Sequence, residues 1–432
     1  MRNESDKTQS IKTRGDIYRI SKKQEAINDL NKSIDIEPNN VYALWVRGGI
    51  YTRQEKYDEA LKDLNKALEI DPNNSYALGV RGEVSLKKGE FDDALEYIDK
   101  ALKIDPDNLY AFEVRGEVYF KRGNLNDAFE DLNKVLEIGV DSNSFDTLGF
   151  RGGIYRVRGD NEKALKDFTK SIEIEPNNTF VLSRLGDILQ RQGYDKEALA
   201  NFTKSLEIEP NDVFTLRCRA QLYNKLREND KALKDLDKAL QINPNHKFSL
   251  ETRSEIYREI REYEKSLKDY NKLIEISPSP NYLGKRGTVY RLMGRYEKAF
   301  KDLNQALEQE PNNSYVLTMR GRLHGVLDRY EDALNDINHA LEEDPDEAWA
   351  LMYRGDIYRR QGRLEEAIID LKKALSIEPT NSFALRIIGM TYYGLKKHKE
   401  AILNLDKSLK VEQDYEFKMK MLKMYHQMGL FV

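Results

Sequence analysis

Residues 41–74 read VYALWVRGGIYTRQEKYDEALKDLNKALEIDPNN. Two apolar stretches of helical period lie in this segment, the first through Ala43, Leu44 and Tyr51, the second through Ala60, Leu61, Leu64, Ala67, Leu68 and Ile70. Pro72 with Asn73 and Asn74 ends the second stretch, because proline disfavours helix in the residue before it and offers no backbone donor. The segment predicts two antiparallel helices.

The same pattern returns in both directions along the chain. Ten of the eleven prolines stand on one ladder: Pro38, Pro72, Pro106, Pro176, Pro210, Pro244, Pro278, Pro311, Pro345 and Pro379. Seven of the nine spacings are 34 residues, one is 33, and one of 70 spans two units with Val140 at the missing rung. A fixed period of this length marks a solenoid of stacked hairpins. Twelve units follow: 8–40, 41–74, 75–108, 109–144, 145–178, 179–212, 213–246, 247–279, 280–313, 314–347, 348–381 and 382–415.

Small residues recur where antiparallel helices must approach closely. The Gly48 site is Gly in ten units, with Ala220 and Ser254 in the others. The Ala60 site is Ala in eleven units and Ser266 in the twelfth, and nine units carry a large ring at the Tyr51 site. Gly89, Gly123, Gly159, Gly193, Gly294 and Gly362 close first helices, where a left-handed turn residue is wanted. One hairpin cannot bury both its faces, so neighbours complete the core.

In these sites the chain resembles the tetratricopeptide repeat family, whose small, Tyr, Ala and Pro positions match Gly48, Tyr51, Ala60, Ala67 and Pro72 over residues 8–415. The departure is that the family's usual Trp and Leu in the first helix are Leu44 and Arg47 here. The resemblance implies an all-α, right-handed superhelical solenoid of twelve helix-turn-helix repeats, whose concave groove, lined by first helices, binds peptides or partner proteins. Related arrays seize a chaperone's C-terminal carboxylate through Lys, Asn and Arg at fixed groove sites. The nearest approach here, Arg217, Gln221, Thr252 and Lys285, substitutes too many of them to carry that function.

Length and charge bound the function. The 432 residues carry 70 Lys+Arg against 74 Asp+Glu, a formal net charge of −4, which argues against a nucleic-acid or membrane-surface protein acting through bulk charge. The single Cys218 excludes a disulfide framework and suits a reducing, cytoplasmic setting. Residues 1–10 lack the apolar core of a secretory signal, and no stretch approaches the ~18 apolar residues of a spanning helix. The sequons at Asn73, Asn177 and Asn312 read as helix-boundary asparagines.

A second regularity lies beside the small site. The preceding residue is Arg in ten units, and the Asp63 site is Asp in nine. The two exceptions to Arg, Leu185 and Ile388, fall in the units where Asp gives way to Asn201 and Asn404, and Arg81 faces Tyr97. An Arg–Asp pair within each hairpin follows, such as Arg47 with Asp63. Two joints interrupt the rhythm, at residues 139–144 and at Ser277-Pro278-Ser279-Pro280. The units before them place Val135 and Leu273 at the Ala67 site. These joints suggest a tail at 1–7, three blocks at 8–144, 145–279 and 280–415 with a change of pitch between blocks, and a helix at 416–432. That last helix, with Phe417, Met421, Met424 and Met428 on one face, is expected to cap the final hairpin, with docking to a partner as the alternative and self-association also open to it.

No chemistry stands out. Five histidines, His246, His324, His339, His398 and His426, are scattered with no ligand spacing, and no phosphate loop, zinc-protease pair or nucleophile elbow occurs. No catalytic residue, metal site or cofactor is expected. The groove is more informative: Tyr42, Tyr76, Tyr110, Phe180, Phe214, Phe248, Tyr315, Trp349 and Phe383 recur near the starts of first helices. They suit either an aromatic strip for a partner or packing between successive first helices. Further along, Glu83–Lys87, Glu117–Lys121, Asp187–Arg191 and Asp356–Arg360 are four apart and should neutralise one another, leaving a mixed-charge floor. The reading is a non-enzymatic scaffold for an extended partner segment. The alternatives are a recognition subunit for an enzyme on another chain and a helical-repeat RNA binder.

Overall fold

The computed structural model describes residues 23–138 and 144–411. They form 23 helices and no strand, the all-α class expected. Eleven complete hairpins follow the second helix of the first unit, Lys23–Ile36. The N-terminal tail, the first helix of the first unit, the segment 139–143 and the proposed cap at 416–432 lie outside the described residues. The chain divides into two compact units, Met1–Asp235 and Leu236–Val432.

Each hairpin is set by a few local signals. Asn40 caps the helix Val41–Arg53 by accepting the Ala43 N–H, and Asn74, Asn108, Asn178, Asp212, Asn313, Glu347 and Asn381 do the same for later first helices. The turn to the second helix passes through the left-handed region at one register position in all eleven hairpins. Six of these residues are the expected glycines, and Glu55, Arg227, Arg261, Asp328 and Lys396 take the same conformation. At the second joint Pro280 opens the helix Pro280–Leu292, where its missing N–H costs nothing.

The small sites sit at the crossings. A Cβ on Gly48 would lie 2.9 Å from the Leu64 side chain, and one on Gly152 would lie 2.8 Å from the Phe168 ring. The facing side chains form the core: Leu64, Ile98, Leu132, Phe168 and Phe202 in the first unit, Tyr270, Leu303, Ile337, Leu371 and Leu405 in the second. Burying each contributes roughly 2 kcal/mol. Val135 and Leu273 are fully buried beside the two joints.

Within each unit the first helices of successive hairpins pack side by side, as Ser75–Lys88 does on Leu109–Arg122 and Pro280–Leu292 on Ser314–Val326. Successive second helices do not pack closely on one another. The first helices are therefore the crowded inner layer of each unit, and the second helices are splayed outside it.

Candidate functional site

The Arg–Asp pairing forms within hairpins, with two parallel hydrogen bonds in eight of them. The Arg47 Nε and Nη2 donate to Asp63 at 2.6 and 2.7 Å, and Arg115–Asp131, Arg151–Asp167, Arg219–Asp235, Arg253–Asp269, Arg286–Asp302, Arg320–Asp336 and Arg354–Asp370 repeat the geometry. The exceptions follow the sequence: Arg81 lies over the Tyr97 ring, and Asn201 and Asn404 turn back to backbone carbonyls of their own helices.

A third partner escaped the sequence reading. The Nη1 of each arginine reaches the second helix of the preceding hairpin, from Arg47 to Asn31 at 2.7 Å, Arg115 to Asp99 at 2.8 Å and Arg354 to Asn338 at 2.8 Å. Hydrogen bonds donated to Asp131, and then to Asp99, outweigh burial and hold the Arg115 guanidinium charged, its pKa above the ordinary value. Each arginine joins two repeats. The signal was present: Asn or Asp two residues after the Asp site, as in Asn133 and Asn304, and Thr169 and Lys372 ahead of Leu185 and Ile388, which have no arginine to receive.

The aromatic residues of the inner layer divide. Tyr110 is buried, its ring against Gly79 and its hydroxyl donating to Glu83. Tyr315 is half-buried against Gly284, and Tyr76 stacks on Trp45 with centroids 5.5 Å apart. Phe180 packs on Phe150 and Phe120, the Arg184 guanidinium lies 3.4 Å from the Phe214 ring centre, and Phe383 packs on Tyr353. Tyr42, Phe248 and Trp349 keep 49, 63 and 39% of their surface in solvent. Tyr110 sinks fully where the preceding first helix offers Gly79, whereas Tyr315 beside Gly284 stays half-buried.

Three of the four expected charge pairs close, Glu117–Lys121 at 2.9 Å, Asp187–Arg191 at 3.3 Å and Asp356–Arg360 at 2.9 Å. The fourth does not: Lys87 crosses to Glu117 of the next repeat at 3.1 Å, while Glu83 accepts from Tyr110. Cross-repeat partners were invisible to a reading along one helix.

Each unit holds a pocket on its inner layer. In the first, of about 700 Å³, Glu117, Asp146, Glu209 and Asp212 face Lys87, Lys121 and Arg184. Burial works to raise the Glu117 pKa, but Lys87 and Lys121 prevail and hold it below the usual range. Burial, with Glu113 and Glu117 nearby, pushes the Asp146 carboxyl up to about 7. The second pocket, of about 490 Å³, carries Arg258, Lys285, Arg291, Arg322 and Arg386 against the one carboxylate Glu255, with Tyr315, Trp349, Tyr353 and Phe383 among its walls. The mixed-charge floor expected of the whole groove thus fails here. The physical reason is that the positions of Arg291 and Arg322 are not four residues from an acid on their own helices, so the spacing rule did not sample them.

Burial pushes the Arg291 guanidinium down to about 10, and Arg322 adds like-charge repulsion. Among the described residues no cluster of His, Cys, Asp and Glu could hold a metal, and no helix is long and apolar enough to cross a membrane. His324 packs on Phe300 with ring centres 4.8 Å apart, and burial lowers its pKa.

Helical hairpins stacked by small-residue crossings, with a lined inner layer and no metal-ligand cluster among the described residues, define a helical-repeat protein. Family models described as tetratricopeptide repeat match residues 18–75, 51–117, 145–178, 181–212, 213–246, 249–280, 280–313 and 318–382. The chain belongs to the tetratricopeptide repeat family. Among solved structures it is similar to a tetratricopeptide repeat protein of Parabacteroides merdae, at 26% identity over 57% of this chain and 98% of that one, with a TM-score of 0.53. Yeast Tom70 is 16% identical over 90% of this chain and 95% of its own, with a TM-score of 0.49. Comparison with curated proteins gives no match. The family supports, in general terms, a protein-interaction scaffold of a kind that is generally non-catalytic.

Proposed function

We propose that the protein is a non-enzymatic scaffold that holds an extended segment of a partner protein against the inner faces of its first helices. The observation that carries this reading is the contrast between the two layers. The arginines that join hairpins are spent on aspartates, whereas the inner layer keeps Tyr42, Phe248 and Trp349 open to solvent, with pockets beside it. Rigid half-exposed rings are the groups that anchor a segment at little entropic cost. The single buried Cys218, with its thiol pushed up to about 11 by burial, fits a scaffold of the cytoplasm and no thiol chemistry.

The test is affinity capture with the wild-type chain and with Tyr42→Ala, Phe248→Ala and Trp349→Ala combined. Loss of the bound partner, at unchanged helicity, is expected. Retention of every partner at wild-type yield would refute the reading.

A further inference from the structure

Most cations around the second pocket are already engaged. Lys285 bonds Glu251 at 2.6 Å and Glu255 at 3.1 Å, Arg258 bonds Glu255 at 2.7 Å, and Asp356 holds Arg359 and Arg360 at 2.7 and 2.9 Å. Two guanidiniums differ. Among the described residues neither Arg291 nor Arg322 meets a carboxylate, the Nε of Arg291 is buried with no hydrogen-bond partner, and Arg322 lies 4.5 Å from the centre of the Tyr353 ring. Two like charges side by side in a half-buried, ring-walled pocket oppose folding, and such arrangements are kept where a ligand neutralises them.

We propose that this pocket receives a phosphorylated side chain of the partner segment, with Arg291 and Arg322 gripping the phosphate while Trp349, Tyr353 and Phe383 hold the chain beside it. The inference rests on the scaffold reading and specifies its ligand. A carboxylate would neutralise one of the two guanidiniums; a phosphate dianion neutralises both and offers the oxygens that guanidinium forks match. A cavity of about 490 Å³ has room for such a side chain and its neighbours. A nucleic acid is disfavoured because it needs a track of free cations along its backbone. Here the acid-free pair sits in one pocket, and neighbouring first-helix cations such as Lys285, Arg359 and Arg360 are held by carboxylates.

The chain supplies its own reporter. It has two tryptophans, of which Trp45 is buried in the first unit and Trp349 lines this pocket, so full-length Trp45→Phe leaves Trp349 as the sole tryptophan, read by selective tryptophan excitation. Titration with phenyl phosphate should change its fluorescence saturably, at least tenfold tighter than phenylacetate, a monoanion of similar size. Arg291→Gln and Arg322→Gln should each weaken phenyl phosphate at least tenfold with helicity unchanged, while Lys121→Gln in the first unit has no effect. Partner capture should fall at least tenfold when the lysate is first treated with phosphatase.

Equal binding of phenylacetate, or arginine variants that bind as wild type, would overturn the proposal. So would displacement of phenyl phosphate by a single-stranded RNA oligonucleotide more tightly than by a phosphopeptide. Capture that needs Trp349 but ignores phosphatase sinks this inference alone. Phosphate binding intact while the triple aromatic variant keeps every partner sinks the scaffold reading instead.

Discussion

The first and second units are built from the same hairpin, yet their inner pockets differ in charge balance, the first lined by four carboxylates and three cations, the second by one carboxylate and five cations. In the first, Lys87 and Lys121 converge on Glu117, and Asp146 shares the space with acids. In the second, Glu255 is taken by Lys285 and Arg258, while Arg291 and Arg322 lie near each other and neither forms an ion pair among the described residues. The difference shows that the hairpin constrains its crossing and clasp positions and leaves the inner face free to diverge.

The largest effect should come from breaking a crossing in one unit. Gly152→Leu drives a side chain into Phe168 and the Ala164 carbonyl, which lie 2.8 and 3.3 Å from a Cβ there, and should destabilise the first unit by about 3 kcal/mol. Hydrogen exchange should rise over 145–178 and stay unchanged over 280–313. An equal rise in both would remove the distinction between the units.

Next comes pH. Asp146 binds its proton more tightly folded, at about 7, than at its ordinary value of 3.8, so between these values the folded state holds more protons than the unfolded one. Stability from this group is therefore full below about 4 and falls as pH rises to about 7. Asp146→Asn should remove that fall, about 2 kcal/mol with partial exposure allowed for, as read by urea unfolding across the window. Unaltered pH dependence would place the carboxyl in ordinary solvent.

Two methionine substitutions should then move stability in opposite directions, each by about 1 kcal/mol. Arg291→Met relieves the second pocket and should raise its thermal midpoint; Lys87→Met takes a partner from Glu117 and should lower the first unit's. Shifts of the same sign would mean that the two pockets are electrostatically alike. The smallest effect belongs to the turns: Arg227→Gly removes left-handed strain at φ 64° and should stabilise by roughly 0.5 kcal/mol, since glycine's own chain entropy offsets part of the gain.

Much of the fold was legible because repetition exposes constraint. Leu185 and Ile388 lose their arginine in the same units that carry Asn201 and Asn404, and that co-variation named the clasp partners before any distance was known. Gly48 and Gly152 announced close crossings by their recurrence. The inner face was harder to read: an aromatic site recurs there, but the charged residues around it differ from repeat to repeat. Tyr110 and Trp349 occupy one register position, yet Tyr110 is buried against Gly79 of the preceding repeat while Trp349 stands 39% exposed. The basic character of the second pocket was hidden likewise, since Arg291 and Arg322 belong to different repeats and meet only when the first helices pack side by side.

The most direct test of the central claim maps the face that touches a partner. Benzoylphenylalanine is placed at Trp349 on the inner layer, or at Ile369 or Leu403 on second helices, which are 68 and 55% exposed, and the full-length chain is irradiated in cells. A covalent adduct with a partner protein from position 349, and none from 369 or 403, is the predicted result. Adducts from 369 or 403 without one from 349 would contradict it.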